Sequence, residues 1–300
     1  MKKGFWLLLL TAITTFKFGT ANSVSAATNK PQAPKTQVVA NKTEKNQANL
    51  SSKSAKTLEG WVTENGATSY YQDGKKVTGQ IKIGNSYYLF DKNGQRLSGV
   101  RKTPHKASYS YYLDDGKRSE TSIATPKTQY LIKNGKIIGV KNKAAAISQR
   151  PQLPTGCEMT AVTMMLNFAG VPVSKTEVAN LTPRSSNPNK GFIGSPYKKY
   201  PAGYWVAPNG IKGVVKKYLG TAKVMTGASL TAIKNKLLRS HLVVVWVSGI
   251  DGFSNHALTL TGYYKKRLYY NDPWTGKKAS INTSNFIKHW RGDGYRALSY

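Results

Sequence analysis

Apolar and polar positions follow four different rhythms along the chain. Phe5 to Phe16 is a mostly apolar run, preceded by Lys2 and Lys3 and closed by Lys17, and "VSA" at Val24 to Ala26 supplies small residues. A basic start, about a dozen apolar residues and a small-residue site are the parts of a secretory signal, here residues 1–26, cleaved after Ala26. The run falls short of the ~20 residues a spanning helix needs. No other segment is long and apolar enough, so no membrane span is expected after cleavage. Residues 27–57 are rich in Lys, Asn, Gln, Thr, Ser and Ala, with few large apolar side chains. Such a stretch cannot bury enough surface to offset the entropy of ordering, which predicts a disordered linker.

The third rhythm is a repeat of about twenty residues, over residues 58–140. "GWVTENGATSYYQDGKKVTG" (Gly60 to Gly79) is followed by "QIKIGNSYYLFDKNGQRLSG" (Gln80 to Gly99). Tyr70-Tyr71 matches Tyr87-Tyr88, Asp73-Gly74 matches Asn93-Gly94, and Gly79 matches Gly99. Weaker copies carry Tyr111-Tyr112 with Asp115-Gly116, and Tyr130 with Asn134-Gly135. An aromatic strand followed by Asp-Gly or Asn-Gly is a strong hairpin signal. The period predicts a stack of hairpins in which each unit covers its neighbour.

From residue 147 to 300 the pattern mixes helix and strand. After the turn-like "QLPTG", the run "CEMTAVTMMLNFAG" repeats Ala161, Val162, Met165, Leu166 and Ala169 at helical spacing, and Gly170 ends it. Thr155 stands where it could cap the helix. "HLVVVWVSG", "SNHALTLTGYY" and "KKRLYYNDPW" read as strands, the last two joined by a turn near Lys265-Lys266. "NFIKHWRG" reads as an amphipathic helix.

Charge adds a surface to this outline. The net charge is +32, and loss of Lys2, Lys3 and Lys17 with the signal lowers it to +29. Such a charge implies an anionic surface nearby. The basic residues are spread along the chain without a nucleic-acid-binding motif, so no nucleic acid is expected. An anionic cell-wall polymer or membrane surface is the expected partner of an exported chain.

The chain has a single cysteine, Cys157, which can form no intramolecular disulfide. At the first turn of a helix, free N–H groups and the dipole favour a thiolate. That position predicts a reactive thiol with a lowered pKa rather than a packing residue. A thiol nucleophile needs a histidine base and a group to orient it. Of the four histidines, His105 lies in the repeats, His241 opens a strand and His289 lies in the last helix. His256 sits in the strand whose hairpin partner ends in Asp272, near its level within a residue or two of register. From Cys157 onward the only acids are Glu158, Glu177, Asp251, Asp272 and Asp293. Asn271 is the alternative orienter. Gln149 and Gln152 are both available, beside the Cys157 N–H, to face an oxyanion.

Two family resemblances follow from these motifs. The repeats resemble the choline- and glucan-binding repeats of Gram-positive surface proteins, which implies an all-β attachment module for a wall glycan or teichoic acid. A choline cage in that family draws on two tryptophans and a tyrosine. Here there is only Trp61, and Ser69 and Ser86 precede the tyrosines, so the ligand is not named. "SQRPQLPTGCEMTAVTMMLNFAG", "NPNKGFIGSPY", "VVVWVSG" with "NHALTLTGY", and "YYNDPWTG" together resemble the papain-like cysteine peptidases of the bacteriocin-leader type, cysteine peptidase family 39. That resemblance implies an α+β domain over 147–300, with the helix bearing the cysteine packed on an antiparallel sheet. It implies Cys157 as nucleophile, His256 as base and Asp272 as orienter. Gln149 fits the oxyanion glutamine, with Gln152 as fallback. It implies no metal or organic cofactor. The expectation is a secreted, wall-associated cysteine peptidase acting on an extracellular peptide or protein. A peptidoglycan amidase or endopeptidase, and a non-catalytic adhesin on a degenerate peptidase fold, are the alternatives.

Overall fold

The structure, a computed structural model, describes residues 57–200 and 204–300. The expected signal and all but the last residue of the expected linker lie outside the described residues.

The chain enters through β1 (Gly60–Glu64), β2 (Ala67–Gln72) and the two-residue β3 (Lys75–Lys76). Next come β4 (Gly79–Ile83) with β5 (Ser86–Phe90), and β6 (Gly99–Lys102) with β7 (Tyr109–Tyr112). The last repeat holds β8 (Ile123–Ala124), β9 (Thr128–Lys133) and β10 (Lys136–Asn142). Asn65-Gly66, Asp73-Gly74 and Asn134-Gly135 all have positive φ at both central positions, the geometry that matches the twist of a two-residue hairpin.

The pairing refines the hairpin expectation. In the first three units the long pairing joins the aromatic strand to the strand before it: β1 with β2, β4 with β5, β6 with β7. The Asp-Gly or Asn-Gly turn returns only a stub. This is β3 in the first unit and the single bridges Phe90 to Arg96 and Tyr112 to Arg118 in the next two. Each stub ends in a basic residue that lies across the turn glycine of the following unit. Lys76 covers Gly94, Arg96 covers Gly116 and Arg118 covers Gly135, so a side chain at any of these glycines would collide with the covering residue. The aromatic residues turn inward between units: Tyr71, Tyr88, Phe90, Tyr112 and Tyr130 are buried.

The second half supplies α1 (Cys157–Ala169), α2 (Lys175–Leu181), α3 (Pro208–Leu219), β11 (Lys223–Val224) and α4 (Leu230–Leu238). It continues through β12 (Val243–Val247), β13 (His256–Tyr264), β14 (Arg267–Asp272), β15 (Lys277–Asn282), α5 (Thr283–Gly292) and β16 (Ala297–Ser299). The strands form an antiparallel nine-stranded sheet, ordered β11-β16-β12-β13-β10-β9-β8, with β14 and β15 branching from the other edge of β13. "VVVWV" does not alternate because α1 and α5 both pack on β12, and all five of its residues are buried. α1 is buried almost all round, through Met159, Met165, Leu166 and Phe168, and Thr259 Oγ1 on β13 donates to its Ala161 carbonyl. Side chains of this size each contribute roughly 1.5–3 kcal/mol on burial, so α1 is the fixed centre of this half.

The two halves share a sheet. β10 closes the last repeat hairpin with β9 and also pairs with the end of β13, Gly139 opposite Tyr264 and Lys141 opposite Gly262. Gly262 and Gly139 permit the approach. A Cβ on Gly262 would overlap the Val140 carbonyl, and one on Gly139 would lie 2.8 Å from the Tyr263 carbonyl oxygen.

Candidate active site

Cys157 is the first residue of α1, where the sequence places it. The cap differs from expectation. Gly156 is the N-cap and no side chain caps the helix. Thr155 instead turns its hydroxyl outward to the Ser195 and Lys198 carbonyls, at 3.1 and 3.0 Å. Thr155 therefore pins the 195–198 loop beside the start of α1. Gly156 packs against the Leu153 side chain too closely to carry a Cβ.

His256 opens β13 and is buried. Its Nε2–H donates to Asp272 Oδ1 at 2.9 Å. The β13–β14 turn falls at Lys265-Lys266, and a bulge between Leu260 and Gly262 shifts the register. The ladder stops at Thr259 opposite Asn271, and beyond it His256 and Asp272 meet side chain to side chain. Asp272 Oδ1 also accepts from the Trp274 N–H at 2.8 Å, and Oδ2 from the Thr275 hydroxyl at 2.7 Å. Burial by itself would raise this carboxyl, but the bonds from His256 and Thr275 outweigh it and hold it at about 2. Asp272 is thus a fixed negative charge on the imidazole. Asn271, the alternative orienter, is buried with its amide donating to the Ala145 carbonyl at 2.9 Å.

Cys157, His256 and Gln149 line one cleft of about 490 Å³, walled by Tyr204, Trp205, Phe253 and Trp274. The backbone N–H of Ala257, next to His256, faces the Cys157 sulfur. With Nε2 engaged by Asp272, Nδ1 is the free imidazole nitrogen. Gln149 is buried, donates from Nε2 to the Pro154 carbonyl at 3.0 Å, and leaves Oε1 without a partner. Its backbone N–H bonds to the Pro273 carbonyl at 2.8 Å, tying it to the Asp272 loop. Gln152 is exposed and does not line the cleft. The other three histidines lie elsewhere. His241 stacks on Tyr300 with ring centroids 4.4 Å apart, His289 bonds to the Ser248 carbonyl, and His105 sits in a turn of the hairpin region.

The thiol departs from the expected low pKa. Burial and the neighbouring Glu158 carboxylate raise Cys157 well above the ordinary thiol value, and the two backbone N–H groups at the sulfur do not offset them. Two acids matter here that the spacing of motifs did not single out. Glu158 is fully buried and bonds to both Cys157 and the Val206 N–H. Asp251 Oδ2 lies 3.8 Å from His256 Nε2, and burial and the Asp272 carboxylate raise its carboxyl. An acid inside the apolar run of a buried helix is the signal that could have flagged Glu158. Asp251 depends on a loop turn with positive φ at Gly249, Asp251 and Gly252. Asp251, His256 and Asp272 put three donor atoms within 4.8 Å of one another, a spacing a divalent cation could use, though His256 and Asp272 already bond to each other.

A thiol at the head of a central helix, beside an imidazole–carboxylate pair on an antiparallel sheet, has the form of a C39-like peptidase. Residues 141–298 match the profile of the Peptidase_C39 like family, more than half of the chain, and the chain belongs to that family. It is 30% identical over 178 residues to the uncharacterised protein YvpB of Bacillus subtilis (strain 168), covering 49% of this chain and 70% of YvpB. The crystal structure of a Bacillus anthracis protein described as a C39-like peptidase aligns with TM-score 0.49 and 27% identity, over 53% of this chain and 94% of that one. The choline-binding domain of Spr1274 from Streptococcus pneumoniae aligns with TM-score 0.24 and 25% identity, over 28% of this chain and 99% of that domain. Among the described residues no helix is long and apolar enough to cross a membrane.

Proposed function

We propose that this protein is a secreted cysteine peptidase, held at the cell wall by its hairpin stack, that hydrolyses peptide bonds of an extracellular substrate. The observation that carries the reading is the 2.9 Å bond from His256 to Asp272, in the cleft that Cys157 also lines. His256 takes the thiol proton at Nδ1 and the sulfur attacks the scissile carbonyl carbon. The oxyanion that forms is met by the Cys157 N–H and by the second Nε2 hydrogen of Gln149. The imidazolium, steadied by Asp272, protonates the leaving amine as the C–N bond breaks. Water, deprotonated by His256, then displaces the sulfur from the thioester.

Attachment is supported by the stack and its charge. A groove between the first units is lined by Trp61, Tyr88, Arg96 and Lys117. The Arg96 guanidinium lies 5.9 Å from the Trp61 ring and Arg118 lies 4.2 Å from the Tyr87 ring. The chain's own cations therefore occupy the aromatic faces that a quaternary ammonium would need. A neutral or anionic wall polymer fits this module better than choline.

The test is Cys157→Ala in the full chain, assayed on a casein digest and on purified wall. Proteolysis should fall by about 10⁴-fold or more, while sedimentation with wall is unchanged. Retained proteolysis would remove the assignment. Muropeptide release that depends on Cys157, with no proteolysis, would move the substrate to peptidoglycan.

A further inference from the structure

Glu158 is a buried acid at the nucleophile that the hydrolysis scheme does not use. It directly follows Cys157 and is fully buried. Its Oε1 accepts the Val206 N–H at 2.9 Å, and its Oε2 accepts the Cys157 thiol at 3.3 Å. Among the described residues no lysine or arginine pairs with it. The charged and titratable groups around it are few. Cys157 shares its helix, and His256 lines the same cleft from β13. Asp293, at the end of α5, repels it and is itself held by Asn255 and Arg296. Asp251 and Asp272 face His256.

An ionised carboxylate without a cation partner is costly in a protein interior. An uncharged acceptor such as Gln would satisfy the Val206 N–H equally well. What Glu158 supplies in addition is an acceptor for the thiol proton.

We propose that Glu158 is a positioning residue that keeps Cys157 as a neutral thiol at rest, its S–H turned to Glu158 Oε2 until substrate entry passes the proton to His256. In that step the S–H bond breaks and an Nδ1–H bond forms. A neutral thiol and imidazole become a thiolate and an imidazolium, with no other reactant. The second half rests on the peptidase reading; the resting state is a property of the free protein. Burial holds Glu158 at about 7, so it gains its charge in the neutral range and then opposes the thiolate more strongly. Because the thiolate is the form that oxidises, a thiol held this way is guarded in the oxidising space to which the chain is expected to go.

The test uses the full chain and needs no substrate. Iodoacetamide alkylation of Cys157 is followed from pH 5 to 9, with thiolate absorbance near 240 nm as a second readout. The wild type should react at pH 6 no faster than a small free thiol. Glu158→Gln keeps an acceptor for the Val206 N–H and removes the charge. It should shift the thiolate titration down by about one unit or more and speed alkylation at pH 7 by about 10-fold. A wild-type thiol that alkylates at pH 6 faster than a free thiol would overturn the proposal, as would an unmoved titration in Glu158→Gln. If the variant does not fold, the wild-type curve alone decides. Failure of the peptidase reading would show in Cys157→Ala proteolysis, a separate measurement.

Discussion

The hairpin stack and the C-terminal sheet differ in how far along the chain their pairings reach. Between Gly60 and Arg118 every named strand pairs with its sequence neighbour, and each unit hands one basic side chain to the turn glycine of the next. From Thr128 onward, hairpins of neighbouring strands such as β9–β10 and β13–β14 remain, but pairings between distant segments join them into one sheet. β10 pairs β13, β12 lies between β13 and β16, and Cys157 shares a cleft with a histidine about a hundred residues later. A repetitive, local region can vary one unit at a time, which suits a surface that recognises a polymer. A single non-local core fixes its side chains jointly, which suits chemistry that needs sub-ångström placement. The two meet at β10.

If the two regions are separable in function, damage to the imidazole pair should leave wall retention intact. Asp272→Asn keeps the shape and removes the fixed charge, and peptide hydrolysis should drop by about 10²- to 10⁴-fold. Loss of wall retention in the same variant would break the division between chemistry and attachment.

The pH dependence of stability should be set by the C-terminal core. Glu158 is raised to about 7 in the fold. Its contribution is therefore fully present below its unfolded pKa and lost as pH rises through 7, a loss of about 3 kcal/mol. Asp272 is held at about 2, so its contribution is present above its unfolded value and lost as pH falls through 2. Urea unfolding should show a maximum at about pH 4. Glu158→Gln should flatten the decline between about pH 4.5 and 7; an unchanged decline would show that another group sets it.

The junction can be probed directly. Gly262→Ala places a methyl against the Val140 carbonyl, where neither backbone can easily retreat, and should cost about 1–3 kcal/mol in urea unfolding. Separation of the transition into two steps would show that the shared strand is what couples the halves. A single, weaker transition would show that the stack is held by more than β10. The smallest effect belongs to the stack surface. Trp61 is 42% exposed and touches Tyr70, Tyr88 and Phe90. Trp61→Ala should weaken sedimentation with wall by several-fold, about 1 kcal/mol, with soluble-peptide hydrolysis unchanged. Unaltered sedimentation would place the attachment surface elsewhere.

Much of this was legible in the chain, for reasons that differ by region. The repeat period and its Asn-Gly and Asp-Gly turns show in sequence because φ above zero restricts the residue locally. α1 shows because it is long and closed by Gly170. The His256–Asp272 pair was within reach because a two-residue turn at Lys265-Lys266 fixes the register of one hairpin, leaving only the bulge unread. Thr155 was misplaced as a cap because its partners, the Ser195 and Lys198 carbonyls, come from a loop forty residues away. The thiol was misjudged for a similar reason. Helix position is a local property, but the burial and the carboxylate that raise Cys157 belong to the assembled core.

The sequence by itself determined the hairpin turns, the helix that begins at Cys157 and the pairing of His256 with Asp272 across one hairpin. These rest on backbone preferences and on spacings of a few residues, which any chain carries before it folds. Only the tertiary structure decided that the last repeat is stitched into the nine-stranded sheet, that Gln149 rather than Gln152 reaches the cleft, and that Glu158 Oε2 lies 3.3 Å from the Cys157 sulfur. Each of those depends on which segments exclude water from one another, and burial is a property of the whole packed molecule rather than of any stretch within it.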